Sequence, residues 1–360
     1  MTRHHVRSKA RSLLGLLGWI YIGSMMVWFG LRLLFFDGFW WLALLNTLAF
    51  YLFFPLAVLL PLALWRRRWG LLFGLIAPCA MFAALFGALL LPVCKAPSPV
   101  GNGPAIKIMS FNVLWSNHDY SKISAMISAV QPDVIGLQEV RPADVAALAD
   151  ALEGKYPYHA VHPVDSFHTV GLLSRFPIES LVALPNPPLE RGIQAVVRFQ
   201  DRPLSIFIVH LAPNNMPLQP LSEFVAITKQ RYAQRAAEVA YLEQSLRART
   251  MPTVLMCDCN MTDTSETYAR LHAVIGDSFQ ERGWGFGHTL RVGSVPFPVQ
   301  RVDYIWHTSE LSVIDAAIGL DGGSDHLPMV ATFQWISFPF VVIFRLRRKI
   351  ILKINLKINT

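Results

Sequence analysis

The run TVLMCDCN, residues 253–260, ends an apolar stretch with a carboxylate and an amide separated by one residue. In an extended strand, residues two apart share a face and lie about 6.5–7 Å apart. Asp258 and Asn260 therefore share one face, and Cys257 and Cys259 the other. The cysteines raise three possibilities: a thiolate metal site, a redox pair, or packing. A disulfide needs Cβ atoms about 3.5–4.5 Å apart, which strand geometry denies this pair. A structural zinc site takes four ligands, and no second Cys or His pair is placed to complete one. Cys79 and Cys94, in and at the end of an apolar segment, complete no disulfide framework. The cysteines read as small apolar packing, and the chemistry falls on Asp258 and Asn260.

The same design recurs along the chain. Asn112 closes IKIMSFN, Glu139 follows DVIGLQ, and His210 closes LSIFIVH. Asp303 opens DYIW, and Asp325 and His326 sit in GGSDHLPMV. Each apolar run delivers a carboxylate, amide or imidazole at its end. A single strand-end Asn or His is ordinarily a turn former or a satisfied polar group. Six such deliveries, all of oxygen or imidazole donors, point instead to one shared site. Hard oxygen donors suit Mg²⁺ or Mn²⁺. An imidazole beside them can move a proton near neutral pH.

Strands must position these residues. Apolar runs bounded by turn signals predict strands at 106–113, 134–138, 170–174, 195–199, 204–210, 253–257, 302–306 and 329–333. Periodicity predicts helices at 122–130 and 221–246. The expected fold is an α/β (α+β) four-layer sandwich, two packed and mostly antiparallel sheets flanked by helices.

The ordered set SFNVLW, LQEV, HLAPN, CDCN, RVDYI and SDHLP resembles the endonuclease/exonuclease/phosphatase superfamily, which includes DNase I-like nucleases, AP endonucleases, neutral sphingomyelinases and inositol phosphatases. The resemblance covers residues 105–335. It implies a metal held by Glu139 and Asp325, with Asn112 beside it holding metal-bound water or phosphate. It implies that Asp258 and Asn260 orient the attacking water and bind a phosphoryl oxygen. His326, held by Asp303, becomes base or phosphate ligand, and His210 stands on the leaving-group side. Arg175, in Gly171-Leu172-Leu173-Ser174-Arg175, and Arg191 also echo the family and are candidates to touch phosphate, with a surface ion pair the alternative for each. Two departures stand out. Cys257-Asp258-Cys259-Asn260 replaces the family's Gly-Asp-Phe-Asn, and His210 stands where the AP-endonuclease branch has tyrosine. His210 also has no evident carboxylate partner in the sequence.

The chain is 53% hydrophobic and only 16% charged, too apolar for an ordinary soluble protein. The excess lies in three runs, 13–36, 39–65 and 70–94, each longer than the roughly 20 residues that cross a bilayer core. The first run is too long for a signal-peptide h-region, and two more follow it. Three transmembrane helices are therefore expected in a membrane domain at 1–94. A Pro/Gly/Ser linker follows at 95–104, then the catalytic domain at 105–335 and a basic tail at 336–360. The N-terminus and Arg66-Arg67-Arg68 are basic, so both are expected in the cytoplasm and the domain outside it. Net charge splits as +7 over 1–94, −5 over 95–335 and +6 over the tail. The mildly acidic domain argues against tight clamping of duplex DNA. The tail is either a membrane-surface segment or a frayed end.

The expectation is a membrane-tethered, Mg²⁺- or Mn²⁺-dependent phosphoesterase facing away from the cytoplasm, with no obligate protein partner. Its substrate is a phosphodiester or phosphomonoester, on a lipid head group or a nucleic acid. Loops near 216–223 and 283–298 are expected to set that choice. The alternatives are a general nuclease and an inactive binding version of the fold.

Overall fold

The computed structural model describes residues 2–91, 103–162, 169–213 and 220–336. Most of the expected linker, the tail beyond Ile336, and residues 216–219 of one expected specificity loop lie outside these.

One sheet has the order β11-β12-β1-β2-β4-β3. These strands are β1 Ala105–Asn112, β2 Val134–Val140, β3 Tyr158–His162, β4 Thr169–Ser174, β11 Leu311–Ile318 and β12 Met329–Trp335. The other has the order β5-β6-β7-β8-β10-β9. Its strands are β5 Ile178–Ala183, β6 Gly192–Phe199, β7 Arg202–His210, β8 Thr253–Asp258, β9 Gly276–Asp277 and β10 Asp303–His307. Eight of the ten strand pairings are antiparallel, as expected.

The two exceptions place the site. β1 pairs parallel with β2, and β7 with β8. A parallel pair needs a crossover, supplied here by helices α6 Tyr120–Val130 and α8 Leu221–Arg247. Parallel neighbours end at the same edge, so Asn112 and Glu139 emerge together, as do His210 and Asp258. The sheets pack through Ile108, Val134, Ile206, Ile208 and Met256, all buried. Gly136 permits this approach, since a Cβ there would sit 2.8 Å from the Met256 side chain. α6 and α7 Pro142–Ala151 cover the outer face of the first sheet, and α8 and α9 Glu266–His272 that of the second. The four layers match the expectation. A short helix α10, Ser278–Arg282, packs on β11.

The N-terminal region holds α1 Thr2–Phe35, α2 Trp40–Thr47, α3 Ala49–Leu52, α4 Phe54–Trp65 and α5 Trp69–Leu90. Residues 13–35 of α1 and all of α5 are long and apolar enough to cross a membrane. The second expected span is not straight: α2 is bent by 75° from the segment 49–65. Polar groups fix that bend. Asn46 Nδ2 donates to Phe36 O (3.0 Å) and Asp37 Oδ1 (2.7 Å), tying the end of α2 back to the turn after α1. Gly18 of α1 lies against Leu71 at the start of α5, while Arg32 near the end of α1 and Leu89 near the end of α5 both reach the sandwich. α1 and α5 therefore run in one direction, packed on each other, and α4 runs the opposite way against α5. The Arg66–Arg68 turn lies at the ends remote from the sandwich.

Candidate active site

The register brings the chemistry together. His210 lies beside Asp258 across the parallel pair, and Asp303 lies beside Asp258 across the antiparallel pair β8–β10. Three functional groups thus stand in one row at the edge of the second sheet. From the first sheet, Asn112 Nδ2 donates to Asp258 Oδ2 at 2.8 Å, which ties the two rows into one site. A bulge between Gln138 and Val140 leaves Glu139 at φ +53° and re-aims its side chain toward the cleft. Ser324 fixes the 324–326 turn: its hydroxyl donates to Asn112 O at 2.7 Å and accepts from His326 N at 3.0 Å.

Glu139, His210, Asp258, Asn260, Asp325 and His326 line one cavity of about 640 Å³. His326 Nδ1 bonds Asp303 Oδ2 at 2.8 Å, and its Nε2 lies 3.9 Å from Asp258 Oδ2. Burial alone would lower the His326 pKa, but the Asp303 and Asp258 carboxylates outweigh it and raise it to about 10. Burial, reinforced by Asp303, pushes Asp258 up to about 7. Donor atoms of Asp258, Asp303 and His326 lie within 4.8 Å of one another. That trio is better read as a buried acid–imidazole pair facing a second carboxylate. An ion bound there would have to break the 2.8 Å bond between Asp303 and His326.

His210 has carboxylate neighbours that its sequence did not reveal: Asp258 Oδ2 at 3.6 Å and Glu139 Oε1 at 3.8 Å from Nε2. Arg191 Nη1 lies 3.0 Å from His210 Nδ1. A guanidinium only donates, so Nδ1 accepts and the ring proton sits on Nε2, facing the carboxylates. Arg191 therefore contacts His210 and orients it; it is absent from the cavity lining.

Arg175 corrects an expectation. β4 runs antiparallel to β2, so the residue after Ser174 lies at the entry of β2 while Glu139 lies at its exit. Six residues at about 3.3 Å each separate them by roughly 20 Å. Arg175 pairs with Asp133 at 3.5 Å and stacks over Tyr156, the ion-pair alternative.

The cysteines correct another. Cys257 and Cys259 form a disulfide, with Cα atoms 5.0 Å apart. Strand spacing does not apply, because β8 ends at Asp258 and the chain turns at once, with Asn260 at φ +48°. The turn is closed by Asn260 N donating to Asp258 Oδ1 at 3.2 Å. Both cysteines are nonetheless buried among apolar side chains of the outer layer, as packing residues would be.

Several site residues escaped the sequence reading. Buried Arg235 and Glu238 of α8 hold the chain just after His210, through Ala212 O (2.7 Å) and Ala212 N (2.8 Å). Arg291, in the expected specificity loop, lines the cleft and bonds Ser324 O at 3.1 Å. Leu44, Thr47, Leu48 and Tyr51 line the cleft as well, although they belong to the apolar N-terminal region. The only sequence signal was the polar pair Asn46-Thr47 within an apolar run.

A two-sheet sandwich with a carboxylate–imidazole cluster at the exits of its parallel strands is the frame of a hydrolase family. The chain belongs to the Endonuclease/Exonuclease/phosphatase family, whose model matches residues 109–326. An endonuclease/exonuclease/phosphatase from Beutenbergia cavernae is 21% identical, with a TM-score of 0.52 over 66% of this chain and 73% of that one. D. rerio TDP2, complexed with a single-strand DNA product, is 17% identical, with a TM-score of 0.50 over 64% of this chain and 100% of that one. A mannosyl-6-phosphatase from Bacteroides thetaiotaomicron is 17% identical, with a TM-score of 0.50 over 64% and 100%. At such identities the likeness speaks for the fold alone. No curated protein matches the chain.

Proposed function

We propose that the chain is a membrane-tethered, divalent-metal-dependent phosphoesterase that hydrolyses a phosphoric ester by in-line attack of water. The observation that carries this reading is the convergence of Glu139, Asp258, Asp325, His210 and His326 on one cavity, with Asp303 behind His326. Among the described residues, neither Glu139 nor Asp325 forms an ion pair with lysine or arginine. Two unneutralised carboxylates on one cleft fit Mg²⁺ or Mn²⁺. Asn112 spends its amide on Asp258 and its carbonyl on Leu114 N (3.0 Å), so it serves here as the holder of Asp258. A cation bound by Glu139 and Asp325 would draw charge from a phosphoryl oxygen.

The chain's own groups do the rest. Asp258, held by Asn112 and by Asn260 N, orients the attacking water and accepts its proton; a carboxyl raised to about 7 suits that task. Cationic His326, fixed by Asp303, binds a phosphoryl oxygen and stabilises charge that grows there in the transition state. His210 presents Nε2–H as donor to an ester oxygen. Asn260 Nδ2 bonds Leu211 O at 3.2 Å, which locks the turn that carries Asp258.

Residues 1–94 are the membrane part in this reading and 105–335 the catalytic part. The basic Arg66–Arg68 turn lies remote from the sandwich, which supports a catalytic side opposite the cytoplasm. The disulfide suits an oxidising compartment.

The test uses the full chain in detergent with p-nitrophenyl phosphate mono- and diesters. EDTA should abolish turnover, and Mg²⁺ or Mn²⁺ restore it. Asp258→Asn and His326→Gln should each lose at least about 10³-fold in kcat with the melting temperature retained. Turnover that survives chelation, or that either variant keeps, overturns the reading.

A further inference from the structure

We infer that the ester is carried by a membrane lipid and that the short helix α2, at the start of the second apolar run, forms the substrate-selecting wall of the cleft. This rests on the phosphoesterase reading above and names its substrate class.

The sandwich does not hang from the helices by a linker alone; it is seated on them. Arg32 donates to Thr264 O, Asp37 Oδ2 accepts from Glu266 N at 2.6 Å, and Thr264 Oγ1 donates to Asn46 O at 2.5 Å. Tyr51 OH donates to Val299 O at 2.6 Å, and the Thr47 and Tyr232 hydroxyls meet at 2.8 Å. Phe50 packs on Phe286 with ring centroids 4.5 Å apart. These contacts fix the cleft at the helix ends, with α2 as its border.

The bend then sets the orientation. Residues 49–65 of α3 and α4 would stand roughly 25 Å tall as helix, close to the depth of a bilayer core. With that segment across the membrane, α2 at 75° to it lies along the surface. Its sequence WWLALLNT begins with two tryptophans, which favour that depth. Leu44 and Leu48, one turn apart, both line the cleft that holds Asp258 and His326. The cleft thus has a polar end made by the sandwich and an apolar flank made by a surface helix.

A second observation points the same way. The loop after α10 lines the cleft through Leu290, Arg291 and Val292, and it carries large apolar side chains that no packing covers: Val292 is 52% exposed and Phe297 62%. Tyr51 and Phe50 of α3 grip this loop at Val299 and Phe286, and exposed Val292 lines the same cleft as Leu44 and Leu48. Exposed apolar groups grouped at the rim of a cleft mark a surface that meets something apolar. Arg291 is the one lysine or arginine among the described lining residues. A cleft whose cationic groups are Arg291 and His326, beside a leucine flank, suits a single phosphate attached to an apolar tail; a nucleic-acid strand would call for a track of positive charge.

The experiment compares two substrates on the same full-length preparation. One is a soluble p-nitrophenyl phosphodiester. The other is a set of mixed detergent micelles carrying phosphatidylglycerol, phosphatidylethanolamine, sphingomyelin or phosphatidic acid. Wild-type protein should turn over at least one micellar lipid, with a rate that falls as neutral detergent dilutes the lipid at the micelle surface. Leu48→Gln and Val292→Ser, both at exposed positions on the cleft, should each lower the ratio of lipid to soluble-ester turnover by tenfold or more. An unchanged ratio in both variants, or wild-type turnover of the soluble ester or an oligonucleotide with none of any micellar lipid, overturns the lipid assignment and leaves the phosphoesterase reading standing. Failure to turn over every ester overturns both.

Discussion

Asp303→Asn separates what a buried carboxylate does for chemistry from what it does for folding. Asp303 is 1% exposed, and one of its oxygens bonds His326 at 2.8 Å while Oδ1 has no partner among the described residues. At an effective dielectric of about 20, a unit charge pair at that distance attracts by about 6 kcal/mol. Asp258, within 4.8 Å, repels Asp303 by roughly 3.5 kcal/mol on the same scale. The difference, about 2.5 kcal/mol, is what the Asp303 charge supplies toward a cationic His326 beside an ionised Asp258. Asparagine keeps the shape and an acceptor but loses that term, so kcat should fall on the order of 10²-fold. Stability should barely change, because removing a buried, half-satisfied carboxylate also removes a desolvation cost of several kcal/mol. Steady-state kinetics on a soluble phosphodiester at saturating Mg²⁺, together with thermal melts, read both quantities. A kcat within threefold of wild type would remove the acid–imidazole pair from the mechanism. A fall in activity matched by a drop in melting temperature of more than about 5 °C would make Asp303 a structural residue only.

Two further outcomes are expected. Replacing Cys257 and Cys259 together by alanine should cost about 1–3 kcal/mol of stability, read by denaturant titration, because the closed loop is very short and both side chains are buried. Turnover should stay within about threefold, and loss of metal affinity in the folded double variant would bring the sulfurs into the chemistry. Alkaline phosphatase fused after Trp335 should be active and the same enzyme fused at Arg67 inactive, since that reporter matures only in an oxidising compartment; the reverse pattern would invert the topology.

Most of the sandwich was legible because its central strands are buried on both faces. The fully buried parts of β1, β7 and β8 hold only Ser110, Ser205 and Thr253 as polar residues before the last, so the carboxylate, amide or imidazole at the end of each run marks the edge where the site forms. What escaped lies at the edges. β5 is exposed along nearly its whole length, and β11 carries a bulge between Val313 and Asp315, so neither shows the period of a half-buried strand. The Cys257–Cys259 pair was misread for a related reason. Strand spacing was carried one residue past the true end of β8, and nothing in the local pattern marks Asp258 as its last residue.

Arg175 and Arg191 show where sequence reasoning loses its hold on a site. Arg175 follows a strand-like run and Arg191 precedes one, yet the first lies at the entry of its neighbouring strand and the second against the imidazole at the exit of its own neighbour. Strand direction separates them, and direction is set by pairing, which a single run of residues does not encode. The apolar N-terminal region poses the same problem on a larger scale. Length and hydropathy describe residues 39–65 as one more span, because both average over the segment. The bend depends on where one polar side chain finds its partners: Asn46 reaches back to Phe36 O and Asp37, and its own carbonyl takes the Thr264 hydroxyl. Those three bonds turn a piece of apolar helix out of line and set Leu44 and Leu48 beside Asp258 and His326. Asn46→Leu would keep the backbone carbonyl that takes the Thr264 hydroxyl, and would shift the average hydropathy of the segment only slightly, while removing the side-chain bonds that tie the end of α2 to the turn after α1.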